Sequence, residues 1–193
     1  MNKSQAVIFL AILAIIAVGT AVFLFLSSQS DLEAMQLNDP ANDVLLTVGS
    51  SYPKAVDITG ATLEISDNQA NFTIRTNAQN ISVNDEGTTT WEVILILENQ
   101  TDVVKTYDLR ATLNSTGHFC MIRDVEEEPS KSCIINLQQN KLFIIMPVEG
   151  AVKFEQAEWS ITSTYEEKTA GKLTANAFDF APDEGMHITV VQT

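Results

Sequence analysis

Residues 88–98 read TTTWEVILILE. Three threonines, a tryptophan and the run Val93-Ile94-Leu95-Ile96-Leu97 supply the β-branched and aromatic side chains that suit a pleated surface. Asn99-Gln100-Thr101-Asp102 follows it as a turn. Because apolar residues occupy both alternating sets, the stretch predicts a central strand with both faces covered. Trp91, inside it, is expected in the core.

Outward from this strand the chain keeps the same rhythm. VLLTV (44–48), VDITGATLEIS (56–66) and ANFTIRT (70–76) precede it. In the second, Ala61, Leu63 and Ile65 share one face; in the third, Phe72 and Ile74 alternate with Thr73 and Arg75. After it come VVKTYDLRATL, HFCMIRDV, SCIINLQ, KLFIIMPVE, AEWSITSTYE and HITVV. Gln139-Asn140 predicts a hairpin between SCIINLQ and KLFIIMPVE. Beyond residue 40 no segment holds a helical period for three turns. Nine or ten short strands with turn residues between them predict an antiparallel β-sandwich over residues 41–193.

The N-terminus has a different chemistry. Ala6 to Leu26 carries no charge and is apolar all round, about as long as a bilayer core is thick. It predicts one transmembrane helix, preceded by a short basic head (1–5) and followed by a polar stalk or helix extension (27–40). Lys3 precedes the helix and no Lys or Arg follows it until Lys54, so the positive-inside rule places the head in the cytoplasm and the domain outside.

Net charge is −14, and Lys3 is the only charged side chain before Asp31, which leaves −15 on the remainder. Such acidity excludes nucleic acid as a partner, since that binding neutralises phosphates with Lys and Arg. Cys120 and Cys133, in an outward-facing domain, predict one disulfide. Beyond residue 40, four Asn-x-Ser/Thr triplets, at Asn71, Asn80, Asn99 and Asn114, predict a glycosylated surface.

Lys3-Ser4-Gln5-Ala6 resembles archaeal class III signal sequences of type IV pilin-like proteins, cleaved between Ser4 and Gln5. That resemblance implies self-assembly through the N-terminal helix in a filament core, as the alternative to a membrane anchor. The acidic residue common early in such helices is absent here. A second resemblance spans Asp39 to Gly185. DPANDV, DITGATLEI, ANFTI, WEVILIL, AEWSI and FDFAPDEG follow the order of DOMON-like and family-nine carbohydrate-binding extracellular modules, with Asn42 where their opening glycine stands. It implies a jelly-roll-like sandwich on a cell surface, of a kind that binds sugar, haem or calcium.

Catalytic motifs are lacking: there is no GxSxG, HExxH, P-loop or GxGxxG, and His118 and His187 are isolated. The expectation is a non-enzymatic surface protein. Asp39 and Asp43 at the start of the domain, with Asp179, Asp183 and Glu184 near its end, would supply hard oxygen ligands for calcium if first and last strands are neighbours. Those residues equally suit solvated turns. For carbohydrate, the aromatic candidates are Trp91, Trp159, Tyr52, Tyr107 and Tyr165, with Trp159 the foremost.

Overall fold

The computed structural model describes residues 35–66, 69–82, 87–99, 103–124, 131–148, 154–183 and 185–190. The expected transmembrane helix at 6–26, the basic head and the signal-like cleavage point lie outside the described residues, as does Glu184. Among the described residues there is no helix, and so none long and apolar enough to cross a membrane.

The described residues form thirteen strands: β1 (Met35–Asn38), β2 (Leu45–Val48), β3 (Ile58–Ser66), β4 (Gln69–Thr76), β5 (Gly87–Glu98), β6 (Val103–Asn114), β7 (Gly117–Asp124), β8 (Lys131–Ser132), β9 (Ile134–Gln138), β10 (Lys141–Pro147), β11 (Gln156–Thr169), β12 (Lys172–Ala181) and β13 (His187–Val190). They form a five-stranded sheet in the order β1-β3-β4-β10-β9 and an eight-stranded sheet in the order β2-β12-β11-β5-β6-β7-β8, with β13 paired to β11. Every pairing is antiparallel. The inner faces meet in a main core, with Phe72 of one sheet and Trp159 of the other 6.0 Å apart, and a smaller cluster gathers Val56, Tyr165, Ala175 and Ala177. This is an all-β, two-sheet sandwich.

β5 is central, flanked by β11 and β6. Trp91, Val93, Leu95 and Leu97 point into the core and are at most 1% exposed. Its other face is not covered as expected, because Ile94 stays 40% exposed. On β6, Tyr107, Leu109, Ala111 and Leu113 alternate inward without interruption. The hairpin of β9 and β10 forms as its turn residues predict, with Leu142 opposite Leu137.

Two strands depart from the sequence reading. Met35–Asn38, assigned there to the stalk, is β1: Met35 and Leu37 are buried while Gln36 and Asn38 are exposed, and the strand pairs with β3. Two inward residues are too few to register as a period, so only the partner strand selects the extended form. β12 carries Ala175, Ala177, Asp179 and Ala181 inward, and small residues and an aspartate give no hydrophobic alternation to read. Trp159 is fully buried between Phe72 and His187.

Cys120 and Cys133 are disulfide-bonded, with Cα atoms 5.3 Å apart. The bond joins β7 of the larger sheet to the entry of β9 in the smaller one, clasping that side of the sandwich. No covalent link holds the opposite side among the described residues. There β1 and β3 of one sheet face β12 of the other, and acidic side chains collect.

Candidate metal centre

Three stretches bring carboxylates to this edge. The first is the turn after β1, where Asp39 follows the last strand residue and Asp43 stands beyond Asn42. Asn42 takes φ of +70°, a conformation that asparagine tolerates better than most residues. That turn aims its backbone N–H at the second stretch, donating at 3.0 Å to each carboxylate oxygen of Asp57. Asp57 sits just before β3 and is fully buried. The side chain of Asn77 donates a further hydrogen bond to Asp57 Oδ2 at 2.8 Å. β3 then bulges between Ile58 and Gly60. Gly60 is required there: at φ +147° an added Cβ would meet Leu37 O at 2.6 Å and the Arg75 guanidinium at 2.5 Å. Such a bulge bends the strand locally at its start.

The third stretch is the end of β12. Asp179 is 2% exposed; its Oδ2 accepts from Ile58 N at 2.6 Å, and its Oδ1 from Phe180 N at 2.9 Å. Ser163 Oγ on β11 donates to Val56 O, a second tie between the two sheets at this point. Beyond β12, Asp183 closes the group from the solvent side.

The result is two overlapping triads. Oxygens of Asp39, Asp43 and Asp183 lie within 4.8 Å of one another, and so do oxygens of Asp43, Asp57 and Asp179, with Asp43 common to both. The sequence expectation named four of these five residues, and the structure brings all four together. Asp57 was missed, although a signal existed: it interrupts the apolar run Ala55-Val56-Ile58, and only a partnered carboxylate sits comfortably in such a run.

The electrostatics are those of charges forced together. Burial, then the neighbouring Asp179, Asp43, Asp183 and Asp57, pushes the Asp39 carboxyl up to about 7. Burial raises Asp179 to about 6, against the pull of the Ile58 N–H. Asp43 is raised as well, by burial and then by Asp183 and Asp57, against its own backbone hydrogen bond. Positive charge near the group comes from Lys54, whose Nζ lies 3.8 Å from Asp57 Oδ2 and donates to Asn42 Oδ1 at 2.8 Å. One ammonium does not balance five carboxylates. Asp39 Oδ2 is sealed from solvent with no hydrogen-bond donor among the described residues. A buried acceptor left unmatched costs free energy that a cation would recover. The donors are hard oxygens with no thiolate or imidazole among them, which favours calcium or magnesium over zinc or copper. Clustered carboxylates suit the looser geometry of calcium.

The other sequence candidates are placed elsewhere. Trp91, Trp159, Tyr107 and Tyr165 are at most 3% exposed, so none presents a ring to a sugar. Tyr52 lies half-buried under the Lys54 ammonium, 5.4 Å from its ring centre. His118 is exposed on β7, whereas His187 packs edge-on against Trp159. The chain matches no family model, no curated protein and no solved structure.

Proposed function

We propose that this protein is a non-enzymatic surface module, a β-sandwich held outside the cell by its N-terminal helix and braced by calcium at its acidic edge. The observation that carries the cation reading is the meeting of two carboxylate triads at Asp43, one with Asp39 and Asp183 and one with Asp57 and Asp179, together with an Asp39 Oδ2 that has neither solvent nor a donor among the described residues. The ion would join the turn after β1, the start of β3 and the end of β12, and so close the side of the sandwich opposite the disulfide. The resemblance of residues 39–185 to extracellular sandwich modules that include calcium binders supports the same reading. A structural or adhesive role suits the group, because it joins three separate stretches of chain at one edge of the sandwich. The anchor rests on the charge-free stretch 6–26 and on Lys3 before it.

Isothermal titration of the full chain in detergent, at neutral pH after chelator treatment, tests the site. Calcium should bind and Asp43→Ala should abolish binding; a silent titration with folded protein refutes the proposal. Protease added to intact cells should degrade the domain, and protection until the cells are broken would refute the outward orientation. A native chain beginning at Gln5 would replace the anchor with a pilin-like filament subunit.

A further inference from the structure

Given a domain that faces outward, we infer that Asn71 carries an N-linked oligosaccharide and that this sugar covers the outer face of the five-stranded sheet. The four Asn-x-Ser/Thr triplets of the domain are not placed alike. Asn80 is exposed in the segment after β4, and Asn99 is exposed just beyond β5. Asn114 ends β6 at a tight turn, where its Oδ1 accepts from Thr116 N at 2.9 Å and Thr116 Oγ1 at 2.6 Å. Those three lie at turns or loops. Asn71 alone stands in the body of a sheet, on β4 with β3 on one side and β10 on the other.

Strand alternation decides where its triplet points. Phe72 and Ile74 are buried in the core at 1% and 0% exposure, so Asn71 and Thr73 both project from the outer face. Across the sheet the row containing Asn71 reads Glu64, Asn71, Ile145, Ile134. Ile134 is 64% exposed, the most exposed of the large apolar side chains described. It begins β9, the last strand of this sheet, whose far side has no partner among the described strands. An open edge beside exposed isoleucine is a template for unwanted strand pairing. The usual protections are charge or proline on the edge, yet IINLQ has neither. At about 4.8 Å between strands, Ile134 is roughly 10 Å from Asn71, close enough for the first sugars of a chain to lie over it. Sugar rings have an apolar C–H face that packs on aliphatic side chains while their hydroxyls stay hydrated. A glycan on Asn71 would therefore cover Ile145, Ile134 and the open edge together, whereas Asn80 stands by the β9–β10 turn, at the other end of β9 from Ile134.

The test is site-resolved glycopeptide mass spectrometry on the full chain, made in a host whose secretory pathway is shown to modify a control triplet, followed by enzymatic glycan release. The expected result is occupancy at Asn71 that is lost in both Asn71→Gln and Thr73→Ala. Glycan release should raise apolar-dye binding and self-association, and Ile134→Thr should reverse that rise. Enzymatic release needs no substitution, so the covering role stays testable if a variant misfolds. Occupancy at Asn80, Asn99 or Asn114 with Asn71 bare would overturn the inference and leave the outward orientation standing. Occupied Asn71 with no change on glycan release would overturn the covering role. No occupied triplet at all would overturn the orientation, and the inference with it.

Discussion

Melting the full chain in mild detergent at pH 5 and pH 8, each with chelator or with calcium, tests the acidic edge through a sign that only a cation site produces. The folded-state values of Asp39 and Asp179, about 7 and about 6, lie above the ordinary aspartate value of 3.8. Between about pH 4 and 7 the folded protein therefore holds protons that the unfolded chain has released. Stability contributed by these two groups falls as pH rises through that window, and the loss is complete above pH 7. In chelator these groups make the domain less stable at pH 8 than at pH 5. Calcium should remove that penalty. The Asp179 rise from 3.8 to about 6, driven first by burial and then by its neighbouring carboxylates, corresponds to about 3 kcal/mol. Binding supplies a similar amount: at about 10 mM calcium and a Kd of order 0.1 mM, usual for extracellular modules, linkage stabilises by about 2.7 kcal/mol. For a domain of this size that raises the melting temperature by roughly 5–11 °C at pH 8. At pH 5 the ion must displace protons from Asp39 and Asp179, so the rise should be much smaller. An equal rise at both pH values, or none at pH 8, would refute the reasoning.

Further outcomes follow from the same geometry. Asp57→Asn keeps the shape but weakens the acceptor of Asn42 N and Asn77 Nδ2, and should abolish the calcium shift and, in calcium, cost about 1.5–3 kcal/mol in chemical denaturation. Reducing Cys120–Cys133 should cost about 3 kcal/mol and lower the melting temperature by roughly 6–12 °C, read by melts with and without reductant. Gly87→Ala would put a Cβ 2.4 Å from the Tyr165 ring and 2.7 Å from Glu166 O, so denaturation should show a loss of about 1–3 kcal/mol.

What the sequence determined by itself is whatever depends on neighbours along the chain. The pleat repeats every two residues, so Phe72 and Ile74, or Ala61, Leu63 and Ile65, declare their inner face locally. The central position of β5 was legible from its apolar density, the β9–β10 hairpin from Gln139-Asn140, and the disulfide from the cysteine count. Strands without such a pattern were not legible: β1 is too short and β12 too rich in alanine, and each takes its form from a partner strand. The acidic edge lay between these cases. Aspartates at the two ends of the domain were visible as candidates, but whether they meet depends on β12 lying beside β3, a contact spanning more than a hundred residues, with |i−j| of 121 between Ile58 and Asp179. Burial was likewise decided in three dimensions. Alternation shows that Trp159 takes one side of its strand but not which side meets the opposing sheet, and the packing of Phe72 against it turned a candidate sugar platform into core. Asp57 became a member of the cluster for the same reason: only the folded chain supplies the Asn42 and Asn77 donors that make a buried carboxylate tolerable there.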